Sequence, residues 1–170
     1  MTSELRYVTF DTDMGWIGVL GSAKGLLHTT LPQGSAQAAC QLLGDRLNYA
    51  TWAPHPFEGL TERLRAYFSG CEVTFPDMLD LSRATPFQQE VWQMARLIPY
   101  GETRSYTWVA EQTGRPRAVR AVGQALARNP LPVIIPCHRV LSIDGKLGGY
   151  SGGTVVKRQL LSLEASASGR

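Results

Sequence analysis

Residues Ser105 to Arg128 read SYTWVAEQTGRPRAVRAVGQALAR. Ser105 is an N-cap residue type, whose side-chain oxygen accepts from backbone N–H groups two or three positions on. A short helix is expected from Tyr106 to Thr113, stopping at Gly114, which tolerates the left-handed backbone that ends helices. Pro116 suits the first position of another helix, expected to run to about Arg128. Two short helices joined through Gly114-Arg115 fit a helix-turn-helix.

The neighbouring segments fill in the second half. Upstream, Thr85 caps a helix with Pro86 at its first position. Phe87, Val91, Trp92 and Ala95 give that helix an apolar face, and Pro99-Tyr100-Gly101 breaks it. Downstream, Asn129 to Pro136 is apolar but holds three prolines, so it is buried without being a regular helix or a central strand. Gly-rich turns at 144–153 lead to a last helix from Thr154 to about Glu164, and Ala165 to Arg170 reads as an irregular tail.

The first half has a different period. Leu5 to Phe10, Trp16 to Leu20 and Leu26 to Thr30 read as short strands of an antiparallel three-stranded meander, with turns at 13–15 and 23–25. Ser35 caps a helix to about Leu47, and a second helix runs from Phe57 to Phe68 and ends at Gly70. The fold class is therefore α+β. The domains are expected at 1–84 and 85–170.

A hydrophobic content of 44% with 18% charged residues is that of an ordinary globular protein. No window approaches about 18 consecutive apolar residues, so no membrane span is expected. Glu4, Asp11 and Asp13 interrupt the first apolar stretch, which makes it strand and not signal peptide. Three widely spaced cysteines, Cys40, Cys71 and Cys137, suit a reducing compartment better than a disulfide framework. The net charge of +3 is unevenly placed. Residues 1–84 hold 6 Lys/Arg against 9 Asp/Glu, and residues 85–170 hold 11 against 5. A basic half suggests a polyanionic partner, against the plain alternative of solvated faces charged by chance.

Ile135-Pro136-Cys137-His138-Arg139-Val140 carries the most chemistry. A thiol is a poor nucleophile until it is ionised, and a histidine can act as the base that ionises it. For a bare Cys-His pair, a buried structural cysteine remains the commoner explanation.

Several segments together change that balance. Pro136 to Val140, Ile98 to Tyr106, Arg117 to Gly123, Asn129-Pro130 and Gly149 to Gly153 stand in the order and spacing of the O6-alkylguanine-DNA alkyltransferase family, which residues 85–164 closely resemble. The resemblance implies a ribonuclease-H-like first domain and a winged helix-turn-helix-like second domain. It implies DNA repair in a single irreversible turnover, moving an alkyl group from O6-alkylguanine, and also from O4-alkylthymine, onto Cys137. By the same resemblance His138 is the base, acting through a water, Glu164 orients it, and Tyr106 donates a hydrogen bond to the leaving guanine. Asn129 is a hinge between the helix-turn-helix and the active-site segment. Pro132, Tyr150, Ser151 and Gly152 surround the base. Glu164 would otherwise pass for a solvated residue at a helix end.

A base inside the duplex is out of reach until it is flipped. Ala118, Ala121, Gly123 and Ala125 make the recognition helix slim enough for a minor groove about 6 Å wide, which the family uses. Arg120 matches the finger that fills the gap, while Arg115, Arg117 and Arg128 suit phosphates. No cofactor is implied. The spacing of Cys40, Cys71, His28 and His55 fits no compact zinc motif, so no metal is expected. Double-stranded DNA is the expected partner, bound by a monomer, with clustering along the DNA left open. For a bacterial source, the expected location is the cytoplasm, on the nucleoid. A sensor that binds alkylated guanine without repairing it, and a cysteine hydrolase, are the competing readings. The presence of Cys137 argues against the sensor, and no motif supports the hydrolase.

Overall fold

Strand pairing in the first half starts from two tight turns. In the computed structural model, which describes residues 4–148, 150 and 153–168, β1 (Leu5–Thr12), β2 (Gly15–Ser22) and β3 (Gly25–Thr29) form an antiparallel meander. Gly25 opens β3 at φ +144°, where a Cβ would lie 2.5 Å from the Met78 carbonyl oxygen, so no larger residue fits. Val8, Phe10, Ile17, Val19 and Leu20 are buried from the two long strands.

The sheet is larger than the three antiparallel strands expected. A fourth strand, β4 (Ala50–Trp52), pairs parallel to β1 and gives the order β3-β2-β1-β4. It has three residues and two are exposed, so it leaves no alternating pattern to read. Between β3 and β4 lies α1 (Ala36–Leu43), capped by the Ser35 hydroxyl, which accepts from Ala38 N at 3.1 Å. It ends at Gly44, at φ +81°, and not near Leu47. A 3-10 turn over Asp45–Tyr49 carries the chain to β4. α2 (Glu58–Phe68) then buries Leu60, Leu64, Tyr67 and Phe68.

The chain divides into two compact units between Ser82 and Arg83, two residues ahead of the boundary expected from sequence. The second unit opens with α3 (Pro86–Arg96), whose start is a capping box: Thr85 accepts from Gln88 N, and the Gln88 side chain accepts from Thr85 N. Short strand β5 (Arg104–Ser105) leads into α4 (Tyr106–Gln112), which closes at Gly114, φ +75°. α5 is Val119–Ala127 and not a helix from Pro116. Arg115 N is spent on closing α4 against the Ala110 carbonyl, and Ala118 N bonds Arg115 O in a separate turn. The Trp92 indole N–H donates to Ala125 O at 2.8 Å and ties α3 to α5.

Residues 131 to 140 are all buried. The proline-rich part is irregular, as expected, with an isolated Pro132–Ile135 bridge and Val133 at φ +75°. Cys137–Arg139 is one 3-10 turn, and β6 (Val140–Leu141) pairs parallel to β5. α6 (Thr154–Ser168) runs four residues past its expected end at Glu164. Alanines at 165 and 167 favour helix, and Ala167 is buried, so the expected tail is ordered through Ser168. No helix among the described residues is long and apolar enough to cross a membrane.

Candidate active site

Cys137 and His138 occupy the 3-10 turn that follows the proline-rich segment, both fully enclosed. α6 brings Glu164 to the histidine: His138 Nε2 donates to Glu164 Oε2 at 2.5 Å. Arg139 holds the same carboxylate from the other side, through Nε to Oε1 at 2.8 Å and Nη2 to Oε2 at 3.1 Å. Its Nη1 donates to Ile98 O at 2.7 Å, and Gly101 N donates to Glu164 Oε1 at 3.2 Å. Glu164 is therefore buried with two ring or guanidinium partners and one backbone donor.

Electrostatics follow from this enclosure. Burial pushes the Cys137 thiol up to about 12, against the opposing pull of a hydrogen bond from Asn129 and the charge of Lys157. Burial also lowers His138 below its ordinary value. The hydrogen bond and charge of Glu164 resist, while the charges of Arg139 and Lys157 add to the lowering. Burial opposes ionisation of Glu164, but the hydrogen bonds and charges of His138 and Arg139 hold it well below the usual carboxylate range. Burial thus favours the uncharged forms of the thiol and the imidazole, beside a carboxylate paired to arginine.

Asn129, just after α5, braces the segment that leads to Cys137: its Nδ2 donates to Ile135 O at 2.8 Å, and its Oδ1 accepts from Leu131 N at 2.8 Å. Pro132 is buried in the same segment. Tyr106 heads α4, and burial with the nearby Cys137 charge raises its phenol. Tyr150 is also raised, by burial and then by the charges of Cys137 and Glu164, and its hydroxyl is buried with no hydrogen-bond partner among the described residues. Ser151 and Gly152 lie outside the described residues.

Two residues of this neighbourhood escape a reading of the sequence. Lys157 is fully buried, donates to Val140 O at 2.7 Å and to the Tyr106 hydroxyl at 3.4 Å, and has its ammonium 5.6 Å from the Tyr106 ring centre. Burial lowers its pKa to about 8. Gly148, at φ +67°, lies so close to Tyr106 that a Cβ would come within 2.6 Å of the phenol oxygen. The available signal was the Gly148-Gly149 pair ahead of Tyr150.

The cationic candidates separate by environment. Arg117, Arg120 and Arg128 are exposed and form no ion pair among the described residues, with Arg120 on α5 and Arg117 in the turn before it. Arg115 is committed to Glu90 at 2.6 Å and lies over the Phe87 ring. Ala121 is exposed, Ala118 is half-buried, and nothing lies within 4 Å of a Cβ built on Gly123. Ala125 instead faces the interior beside Trp92, so it is not part of a slim outer face. Among the described residues no cluster of three or more His, Cys, Asp or Glu could hold a metal ion.

Known proteins resemble this chain along nearly its whole length. Residues 86–166 match the family model described as the DNA binding domain of 6-O-methylguanine DNA methyltransferase. A methylated-DNA--protein-cysteine methyltransferase of Mycobacterium tuberculosis is 53% identical over 164 residues, covering 95% of this chain and 93% of the relative. One from Methanosarcina barkeri is 41% identical, covering 94% and 97%. The crystal structure of Mycobacterium tuberculosis OGT in complex with DNA superposes with a TM-score of 0.81 at 42% identity, over 95% of this chain and 94% of that one. With relatives of that identity matched along nearly their whole length, the chain belongs to the methylated-DNA--protein-cysteine methyltransferase family.

Proposed function

We propose that this protein repairs DNA by taking the alkyl group from O6 of guanine onto Cys137, once per molecule. The observation that carries the reading is the buried series Cys137, His138 and Glu164, in which an enclosed thiol adjoins an imidazole hydrogen-bonded to a carboxylate. Such a thiol needs a base at the moment of attack. Sγ forms a bond to the alkyl carbon as the carbon–O6 bond breaks. The thiol proton passes through a water to Nδ1 of His138, since Nε2 is engaged by Glu164. The electron pair of the broken bond stays on guanine, where a hydrogen bond from the Tyr106 hydroxyl stabilises the developing charge. The same displacement applies to O4-alkylthymine. The product is a thioether, which has no low-energy route back to thiol, so the protein is consumed.

The base reaches this site by rotating out of the duplex. The exposed, small-residue surface of α5 fits the minor groove of a winged helix-turn-helix complex, and Arg120 stands ready to fill the vacated stack. The protein acts as a monomer with the DNA, in a bacterial cytoplasm.

Intact-mass measurement after incubation with an O6-methylguanine duplex is the direct test. One methyl group per molecule, mapped to Cys137 and lost in Cys137→Ser while DNA binding persists, is the expected result. Multiple turnover, or methyl on Cys40 or Cys71, would overturn the assignment.

A further inference from the structure

Arg139 is buried, and all three of its guanidinium nitrogens are engaged, with Glu164 and with Ile98 O. Two of them bind both oxygens of Glu164, the carboxylate that also receives the proton-bearing Nε2 of His138. A buried carboxylate shared with only a histidine would draw a proton onto the ring, because an adjacent negative charge favours imidazolium. An imidazolium cannot accept the thiol proton. We propose that Arg139 is a positioning residue of the alkyl-transfer site: it neutralises Glu164 from the far side, so that His138 is oriented by the carboxylate without being protonated by it.

The surroundings of His138 leave this role to Arg139 and Lys157. Glu164 and Lys157 face it from α6, and Cys137 and Arg139 come from its own turn. α3 packs against that turn, and the residues it buries are Val91, Trp92 and Ala95. Tyr100 lies under the Arg139 guanidinium, 5.7 Å from its carbon. Glu164 is thus the acidic neighbour of the ring, with Arg139 bonded to it at two points. Lys157 donates to Val140 O and to the Tyr106 hydroxyl. The Nη1 bond to Ile98 O fixes the guanidinium independently of Glu164, so the pairing survives when His138 gains charge during transfer.

This inference rests on the alkyl-transfer reading only for its kinetic arm. The first arm is a titration of the His138 ring by nitrogen–proton NMR in the whole chain, with His28 and His55 assigned by substitution. The wild-type ring is expected to be neutral at pH 7, carrying its proton on Nε2. In Arg139→Met the midpoint is expected to rise by about one pH unit or more, the size of a single near-charge effect. Arg139→Lys keeps the charge and is expected to keep the wild-type midpoint. The second arm follows the single-turnover rate on free O6-benzylguanine against pH. Its acid limb should move upward in Arg139→Met by the same amount as the NMR midpoint, and stay in place in Arg139→Lys.

A charged His138 at pH 7 in the wild type overturns the proposal whether or not any variant folds. A folded Arg139→Met with unchanged midpoint and unchanged acid limb, only a lower rate, reduces Arg139 to a structural strut and also overturns it. If the wild type transfers no alkyl group, the functional reading fails, and the NMR titration still decides the role of Arg139.

Discussion

Lys157 shows how much of this site lies outside the motif that announces it. Its ammonium is buried between Val140 O and the Tyr106 hydroxyl, and its charge draws the Cys137 thiol down against the effect of burial. Lys157→Met keeps the length and removes both donors and the charge. Transfer to free O6-benzylguanine is expected to slow by about tenfold or more, equivalent to about 1.4 kcal/mol of transition-state stabilisation. A single-turnover rate within error of the wild type would make the lysine only a support for β6. Cys137 and His138 were legible because they are contiguous in a distinctive pentapeptide. Lys157 and Glu164 were not legible from their own pattern. They sit seven residues apart, with Leu160 between them, on the inner face of α6, and charged residues at helical spacing ordinarily mark a solvated face. Family resemblance supplied Glu164, and only the fold supplied Lys157.

Elements were legible where local signals agree and not where tertiary context decides. Ser35, Thr85 and Ser105 all cap helices through side-chain oxygens, and the sequence marks each one. The start of α5 was misplaced because Pro116 has the right shape for a helix start, yet the N–H of Arg115 already closes α4. β4 was missed because a three-residue edge strand has no period. α5 also carries a prediction that separates folding from function. Gly123 is in mid-helix with open space around its missing side chain, so packing does not require glycine there. Gly123→Leu should stabilise the protein by up to about 1 kcal/mol through helix propensity, read as a raised unfolding midpoint. The added side chain should nevertheless obstruct the groove, lowering repair of duplex DNA while leaving reaction with the free base unchanged. Arg120→Ala should split the same two substrates without changing stability, because the cost of extruding the base falls only on the duplex. Equal losses on both substrates would place either residue in support of the active site and not at the DNA.

At the scale of the molecule, charge is legible in the sequence, but its disposition is not. Residues 85–170 hold 11 Lys/Arg against 5 Asp/Glu, an excess of 6. The fold shows that this excess is not all available to a partner. Arg139 is buried against Glu164, Lys157 is buried, and Arg115 is paired with Glu90. Arg117, Arg120 and Arg128 are exposed without an ion pair among the described residues. With Arg120 reserved for the vacated stack, Arg117 and Arg128 give about two phosphate contacts and a logarithmic salt slope of about −1.8, at roughly −0.9 per contact in B-DNA. Duplex affinity should then fall roughly 12-fold from 50 to 200 mM salt. Cys137→Ser is the form to use, so that binding is measured without reaction. Arg117→Ala and Arg128→Ala should each make the slope shallower by about 0.9, whereas Arg115→Ala should change it less because Glu90 already neutralises that charge. A slope of about −5.4 would mean that the whole charge excess reaches the phosphates and that the Arg115 pair opens on binding. A flat affinity would mean that this arginine surface does not meet DNA at all.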